Sequence, residues 1–345
     1  MTATRLSVLL TVVLLAVAAC LFEPPSYPVD GSLEQEFQLF FENHDRLYTG
    51  FSVRPEVDWN ALHDQYRASL DTVTSHDGLM LHILHMLENL EDANIFMVNS
   101  MGLYHSYEPD LQENYDMELT YELLEPWGGV TWIDWEYSDS TFGYAFITDS
   151  IPYIIMTDTP FEDINDFDQT FELFRYSPAM IIDARALDSG VAYFMDQIVK
   201  RFTNISPIVY YLVERNGPGH DDFTDPEQVR RSHRGDWQFW DRPVILMAGE
   251  CNRGYAVAFV QMMSEFPNVT VIGDTTSGII GDIETFEHPE NCLVAFPTTA
   301  YLDTDYQFID RAGVPPDTYV EATEEDFQMG VDPVWDYALE LLTGR

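Results

Sequence analysis

The turn after a predicted buried strand carries the residue types that could do chemistry. The strand is Val244 to Met247, and apolar periodicity predicts a helix from about Gly254 to Phe266. Many hydrolases display their nucleophile at such a strand-to-helix turn. Here the turn contains Cys251-Asn252-Arg253-Gly254, and no Ser or Thr lies between Glu250 and Gln261. The sequence therefore predicts an enzyme-like scaffold that lacks the expected hydroxyl.

Two side chains, Cys251 in this turn and Ser277 in a later loop, carry atoms that could act as a nucleophile. The thiol of Cys251 would be a nucleophile only beside a cation or a base, because the thiolate is the reactive form. Arg253 is such a cation, and His220 or His288 would be the base if the fold brought one of them near. A packed or disulfide-bonded Cys251 is the simpler prediction. Ser277, in a Thr-Thr-Ser-Gly loop, is predicted to be a loop hydroxyl rather than a nucleophile.

Alternating strands and helices must position the turn, and this alternation predicts an α/β core. Predicted strands are Val130 to Trp135, Gly143 to Ile147, Tyr153 to Met156, Ala179 to Arg185, Ile208 to Val213, Val244 to Met247 and Val269 to Ile272, with a hairpin-like segment from Cys292 to Tyr301. Predicted helices of the core are Ile164 to Tyr176, Val191 to Phe202, Gly254 to Phe266 and Pro333 to Leu342. The polar stretch from Gly217 to Trp240 is predicted to be a long excursion.

A helical subdomain is predicted ahead of this core. Ser32 and Gln35 form a capping-box pattern that opens a first helix, and two more helices are predicted at about Trp59 to Leu70 and Asp77 to Leu90. The predicted domains are a signal peptide at 1–19, a Pro-rich tether at 20–31, the helical subdomain at 32–100 and the α/β domain at 101–345.

The charge balance is extreme for a chain of 345 residues. There are 59 acidic and 16 basic residues, a formal charge of −43, and Lys200 is the only lysine. No basic patch can be assembled to meet phosphates, so we expect no nucleic-acid partner. Acidic residues spread along a whole chain are typical of a salt-adapted bacterium, where screening makes such a charge tolerable.

The N-terminus predicts a lipoprotein signal. Arg5 precedes the apolar stretch Leu6 to Val17, which is too short for a typical membrane-spanning helix and ends in Val17-Ala18-Ala19-Cys20. This ending resembles the bacterial lipobox, in which the Cys is lipidated. We therefore expect Cys20 to anchor the protein in the outer membrane, facing the periplasm.

No cofactor and no metal site are predicted. His82 and His85 share one helix face, but no third ligand has an evident spacing. The cluster His220-Asp221-Asp222 is equally weak. Cys251 and Cys292 are predicted either to form a disulfide or to remain free buried thiols, and their spacing does not decide between the two.

Several segments along the chain resemble the tail-specific, or carboxyl-terminal processing, proteases, including their tricorn-like members. The matching segments, in chain order, are FSVRPEVDWNALHDQYRASL from Phe51, Leu90 to Asn94, Gly143 to Ile147, Ile181 to Arg185 with Ser189-Gly190, Pro267 to Thr276, and Gly313 to Asp317. The resemblance covers about Phe37 to Leu342. It implies a crotonase-like ββα core with an N-terminal helical subdomain.

The resemblance also implies where the catalytic residues would lie. Family members cleave peptides through an acyl-serine whose proton passes to a Lys or, in the tricorn-like branch, to a His. The nucleophile position falls on Gly254 and the His position on Asn94, while Lys200 lies upstream of the position that the Lys branch requires. Asp310 stands where the family has a supporting Glu, and Ser189 with Gly190 replaces the Gly-Gly pair.

Two functions follow as hypotheses. The first is a catalytically inactive relative that binds peptides or unfolded protein tails, with Asp183, Arg185, Ser189 and Gly190 as binding residues and strand addition beside Ile181 to Arg185. The second is an active endopeptidase that uses Cys251 or Ser277. A surface lipoprotein that handles metals or polysaccharides is a weaker third hypothesis.

Overall fold

The computed structural model describes residues 31–100, 102–132, 142–148, 150–157, 164–233, 239–288 and 292–343. The predicted signal peptide, Cys20 and all but the last residue of the predicted tether lie outside these residues. The described residues divide into two compact units. Unit 1 comprises 31–109, 214–224 and 282–299, and unit 2 comprises 110–213, 225–281 and 300–343. The domain boundary predicted between residues 100 and 101 does not account for the two later segments of unit 1, 214–224 and 282–299.

The mixed α/β class predicted from the sequence is confirmed. The α-helices are α1 (Leu33–Leu47), α2 (Trp59–Ala68), α3 (His76–Leu87), α4 (Met117–Leu124), α5 (Ile164–Leu173), α6 (Ala192–Val199), α7 (Tyr255–Ser264), α8 (Glu324–Gln328) and α9 (Pro333–Thr343). The strands are β1 (Phe96–Asn99), β2 (Gly102–His105), β3 (Thr131–Trp132), β4 (Phe142–Ile147), β5 (Ile151–Met156), β6 (Met180–Asp183), β7 (Ile208–Glu214), β8 (Glu227–Arg230), β9 (Val244–Ala248), β10 (Val269–Gly273), β11 (Asp282–His288), β12 (Cys292–Leu302) and β13 (Thr318–Tyr319). Short 3₁₀ turns occupy Gly50–Val53, Leu70–Thr72, Glu88–Leu90 and Glu125–Trp127.

In unit 1, three helices and an antiparallel sheet enclose an aromatic core. The capping box at the start of α1 is confirmed, because Ser32 Oγ accepts from the Gln35 amide at 3.3 Å while Gln35 Oε1 accepts from the Ser32 amide at 3.2 Å. Strand β1 pairs with β2 and with β12, and β11 pairs with the other edge of β12. Phe37, Trp59 and Phe296 are among the side chains packed between helices and sheet.

In unit 2, seven strands form one sheet in the order β13-β10-β9-β6-β5-β4-β3. The four neighbour pairs from β13 to β5 are parallel, and β4 and β3 add antiparallel pairs. Alternate residues of the parallel strands point to opposite faces, so that Leu246 joins a core with α5, α6 and α7, while Met247 joins a second core with α9. Burial on both faces explains why these strands are continuous apolar runs.

The parallel strands bring three loops to one edge of the sheet. The carboxyl ends of β6, β9 and β10 are adjacent because these strands are neighbours running in the same direction. Ligand sites of open parallel sheets lie at this edge. The turn from Gly249 to Gly254 follows β9, and the loop that contains Ser277 follows β10. The segment with Ser189 and Gly190 follows β6.

Several elements were missed by the sequence analysis. Strands β1 and β2 lack long apolar runs, and β8 consists of the polar sequence EQVR within the predicted excursion. Helix α4 is eight residues long and begins after Asp116, whose side chain accepts from the Leu119 amide at 2.9 Å. That cap was a readable signal, since Asp favours the N-cap position.

Candidate active site

The turn between β9 and α7 has the backbone geometry of a nucleophile-bearing turn. Gly254 lies at φ 55° and ψ −127°, immediately before the first residue of α7. For a residue that has a side chain, this backbone conformation is unfavourable in free energy. Strained conformations of this kind are characteristic of sites that display a catalytic group. The turn thus has a strained backbone at Gly254, and the assignment of this residue to the nucleophile position stays a prediction.

Gly254 has room for a side chain. A Cβ atom built on it would lie 3.6 Å from Ser189 Oγ and 3.8 Å from Ser189 Cα, both ordinary van der Waals distances. Its amide donates to the carbonyl of Ile279 at 2.7 Å, which fixes the turn against the loop after β10. The position that the resemblance assigns to the nucleophile therefore has space for a side chain.

Asn252 holds the turn in place, and the sequence analysis did not single it out. Its fully buried amide group donates to the carbonyls of Ala184 at 2.6 Å and Leu187 at 2.9 Å, and its Oδ1 accepts from the Gly249 amide at 3.0 Å. Its own carbonyl accepts from the backbone and hydroxyl of Ser277. One residue thus joins the three loops that follow β6, β9 and β10, through its side chain and its backbone carbonyl.

The loop after β6 presents Ser189 and Gly190 on the surface. Both have positive φ, 74° and 114°, and Ser189 is exposed. Among the described residues, the Ser189 hydroxyl has no hydrogen-bond partner. Next to it, Asp188 and Arg253 form an ion pair with an Nε···Oδ1 distance of 2.7 Å. This pair ties the glycine turn to the loop after β6.

Asp183 and Arg185 are structural, which corrects their prediction as peptide-binding residues. Arg185 is fully buried and donates to both oxygens of Asp183 at 3.0 and 2.8 Å, to both oxygens of Asp332, and to the carbonyl of Asn114 at 2.8 Å. Burial works to raise the pKa of Asp183, but the charge and hydrogen bonds of Arg185 hold that pKa below its ordinary value. Asp332 also accepts from the Trp335 amide at 3.0 Å at the start of α9. The network has no contact left for a peptide.

The prediction that a peptide adds as a strand beside β6 is also wrong. Strand β6 pairs with β5 on one side, at Tyr153↔Ile181, and with β9 on the other, at Ile181↔Ile245. Both of its edges therefore already carry ladder hydrogen bonds. An extended peptide has no free backbone groups of Ile181 to Asp183 to pair with.

Cys251 is the opposite of an activated thiol. Burial, Glu113 and Asp188 raise its pKa to about 11, and the opposing effect of Arg253 is outweighed. The alternative of a thiol activated by Arg253 is therefore disfavoured, and Arg253 is instead paired with Asp188. Cys251 and Cys292 are both free thiols, which settles the alternative left open by their spacing.

Ser277 is a loop hydroxyl, as its sequence context suggested. Its Oγ donates to the carbonyl of Asn252 at 2.7 Å and accepts from the Ile279 amide at 3.0 Å. A nucleophilic serine donates its proton to a base instead. In the described structure this hydroxyl stabilises the loop.

The remaining predicted positions lie in different units. Asn94 is buried in unit 1, where its backbone amide donates to Asp92 Oδ1 at 2.9 Å. Its side-chain Nδ2 has no hydrogen-bond partner among the described residues. Asp310 is buried in unit 2 and precedes Arg311, whose amide donates to the carbonyl of Gly278 at 2.8 Å. The assignment of these two residues to the base and support positions stays a prediction.

The histidines considered as metal ligands have other roles. His82 Nε2 is 2.8 Å from the Tyr66 carbonyl, and His220 Nε2 is 2.8 Å from Asp45 Oδ1 while its ring stacks on Phe51. Within the described ranges, no group of three or more His, Cys, Asp or Glu side chains is arranged to hold a metal ion.

The sequence of the core matches one peptidase family. The profile of peptidase family S41 matches residues 150–320, the segment that holds β5 to β13, the Gly254 turn and the Ser277 loop. Over these residues the chain is similar to peptidase family S41. The resemblance to carboxyl-terminal processing peptidases is thereby confirmed. No protein with a curated description matches the sequence significantly.

Solved structures support the S41 fold over nearly the whole chain. A candidate peptidase from Parabacteroides merdae is 26% identical, with a TM-score of 0.79, and the alignment covers 91% of this chain and 98% of that one. The photosystem II D1 C-terminal processing protease is 11% identical, with a TM-score of 0.54 and coverage of 84% and 94%. The second likeness concerns the fold alone.

A further similar structure is that of a lipoprotein. It comes from Streptococcus agalactiae, is 12% identical, and has a TM-score of 0.57 with coverage of 90% of this chain and 99% of that one. At this identity the likeness shows the fold and not the anchor. None of the helices among the described residues combines the length and the apolar composition needed to cross a bilayer.

Proposed function

We propose that this S41 family member does not hydrolyse peptide bonds and instead binds peptides or unfolded protein tails. One observation carries the proposal: Gly254 has the backbone geometry of a nucleophile position, at φ 55° and ψ −127°, without a side chain. Acyl transfer by this family requires a hydroxyl at that point. The turn keeps this strained backbone but has no hydroxyl to attack a peptide bond. Such a turn is suited to binding a peptide rather than to cleaving it.

The residues that could act as the general base also favour a protein that does not hydrolyse peptides. The base position implied by the family resemblance is Asn94, whose side-chain amide is not a base at neutral pH. Lys200, the only lysine, follows α6 and is ion-paired with Asp196. His233 is the only histidine of unit 2 in the sequence, and it packs against Phe239. Without nucleophile and base, an enzyme retains only what binding and oxyanion stabilisation supply.

An exposed surface beside the turn is the proposed binding site. The Ser189 hydroxyl is available to a ligand, and the missing side chain of Gly254 leaves space 3.6 Å from it. Gly190 follows with a positive φ and is half-buried. A peptide would contact the loop residues Ser189 and Gly190 rather than an edge of β6.

The proposed location is the periplasmic face of the outer membrane of a salt-adapted bacterium. The lipobox-like sequence at Cys20 and the charge of −43 support this proposal. An anchored protein with an exposed peptide site would hold unfolded chains near the membrane.

Turnover of an unfolded protein tests the first half of the proposal. We expect the purified protein to release no peptides from reduced, carboxymethylated casein, and a fluorophosphonate probe to leave it unlabelled. Turnover that disappears in Cys251→Ala or Ser277→Ala would overturn the proposal and favour an active endopeptidase with that nucleophile. Turnover retained by both variants would also overturn it.

Peptide binding tests the second half. A fluorescein-labelled unfolded peptide should bind the wild type in an anisotropy titration, and Ser189→Trp should weaken binding at least tenfold because the indole fills the space beside Gly254. Ser232→Trp, at another exposed serine of unit 2, is the matched control and should bind as the wild type does. Equal affinities of Ser189→Trp and the wild type would contradict the proposed site.

A further inference from the structure

A second concave site lies in unit 2, at the other end of the sheet from β13. It is an open cleft of about 670 Å³ between the end of α4, the 3₁₀ turn that follows and the edge strand β3. This volume is within the range of small-ligand sites. The cleft does not include Gly254, Ser189 or any other residue of the proposed peptide site.

Two aromatic rings form one wall of the cleft. The rings of Tyr121 and Trp132 meet edge to face, with centroids 6.3 Å apart and an interplanar angle of 78°. Trp132 is held in place because its ring packs on Gly143 of the neighbouring strand, where an added Cβ would come within 2.9 Å of Trp132 Cε3. Tyr121 is 41% exposed, so its ring is accessible from the cleft.

Two carboxylates complete the lining. Glu122 and Glu125 line the cleft and are exposed, and neither has an ion pair or a side-chain hydrogen bond among the described residues. Gly128 also lines the cleft, has a positive φ of 100°, and no atom lies within 4 Å of a Cβ built on it. This part of the lining is therefore exposed backbone rather than packed side chains.

The charged residues close in sequence to the cleft are all acidic. Residues 106–174 contain no lysine, arginine or histidine, so no basic residue close in sequence neutralises Glu122 or Glu125. A cation over an aromatic face is attracted by the ring, and two unpaired carboxylates add to that attraction. A negatively charged ligand would meet repulsion from both.

We propose that this cleft binds the guanidinium or ammonium group of a basic peptide side chain. The group would lie against the rings of Tyr121 and Trp132, with Glu122 and Glu125 as its counter-ions. Charge complementarity favours this ligand over an anionic or neutral one. The site is separate from the proposed peptide site at Ser189, so that either can be present without the other.

Calorimetric titration with a matched pair of peptides tests the proposal. The probes are acetyl-Gly-Arg-Gly-amide and the same peptide with citrulline, which has the shape of arginine without its charge. Titrations at 0.5 M NaCl suppress non-specific attraction to a protein of charge −43, because screening is strong at this ionic strength. We expect the arginine peptide to bind at least tenfold more tightly than the citrulline peptide.

Variants connect the binding to the cleft. Glu122→Gln with Glu125→Gln, and separately Tyr121→Ala, should each weaken arginine-peptide binding at least tenfold. Glu324→Gln with Glu325→Gln removes the same charge from exposed positions of α8 and should leave affinity unchanged. Equal losses in both double variants, equal affinity for the two peptides, or no binding at all would overturn the proposal. Ser189→Trp should not affect this titration, so failure here is distinguishable from failure of the proposed function.

Discussion

The guanidinium of Arg185 donates to both carboxylate oxygens of Asp332, with N···O distances of 3.0 and 2.8 Å. Both side chains are buried, at 0% and 2% exposure. Removal of one partner from a buried pair leaves an uncompensated charge. We therefore expect Arg185→Met to destabilise the protein by about 3–5 kcal/mol, measured by urea unfolding.

The ion pair of Arg253 with Asp188 is the matched control for this prediction. Its side chains are 40% and 48% exposed, so water screens the interaction. Arg253→Gln should cost no more than about 1 kcal/mol. Similar losses for the two variants would contradict the view that Arg185 is structural and that Arg253 only tethers a surface turn.

Asn252 should be essential for the shape of the Gly254 turn. Asn252→Ala removes the donors to Ala184 and Leu187 and should cost about 2–4 kcal/mol, because buried carbonyls are left without partners. Peptide binding at Ser189 should be lost with it. Asn268→Ala removes a half-buried amide that also donates to two carbonyls, at 3.3 and 3.2 Å, and should cost about 1 kcal/mol with binding retained. Binding that survives in Asn252→Ala would show that the turn is rigid without this side chain.

The thiol of Cys251 should react slowly with iodoacetamide at pH 8. Its pKa of about 11 leaves little thiolate at this pH, so alkylation should be at least tenfold slower than for an unperturbed thiol and should accelerate as the pH rises towards 11. Asp188→Asn removes a carboxylate that raises this pKa and should speed the reaction at pH 8. Rapid alkylation of the wild type at pH 7, followed by mass spectrometry, would reveal an activated nucleophile.

Stability should fall in mild acid because unit 1 buries a neutral imidazole. His44 is fully buried among aromatic rings, neither ring nitrogen has a partner among the described residues, and burial, with a smaller effect of His220, lowers its pKa to about 3. The unfolded chain takes up a proton near pH 6.5 and the folded chain does not. The contribution of the neutral His44 to the free energy of unfolding is therefore complete above pH 6.5 and declines as the pH falls towards 3. The expected loss of this free energy between pH 7 and pH 5 is about 2 kcal/mol.

The variant His44→Phe isolates this effect. Phe keeps the ring among its aromatic neighbours and removes the titrating group, so its free energy of unfolding should change less between pH 7 and pH 5 than that of the wild type. The expected difference between the two proteins is about 2 kcal/mol. Identical pH profiles from urea unfolding would show that His44 does not resist protonation.

Local signals in the sequence predicted the elements well. The Ser32 capping box depends only on residues three apart, and the doubly buried strands β6, β9 and β10 follow from their apolar runs. The turn that contains Gly254 was also readable, because it lies in a strand-turn-helix pattern. These features depend on neighbours in the chain.

Tertiary relationships were the part that the sequence could not supply. Strand addition beside Ile181 failed because the spatial order of strands places β6 between β5 and β9. Arg185 is a typical surface residue type, and partners far along the chain, Asn114 and Asp332, help to make it a buried structural group. The pKa of Cys251 likewise depends on Glu113, which is brought close by the fold.

The outer parallel strand β13 limits what the protein can assemble into. It is two residues long, Thr318–Tyr319, and it follows Pro315-Pro316-Asp317, where the prolines have no amide hydrogen and Asp317 is occupied with the Val271 amide at 2.8 Å. A neighbouring molecule thus finds almost no backbone to pair with along this margin. When salt screens the mutual repulsion of such acidic molecules, crowding alone will not make them polymerise through this side of the sheet.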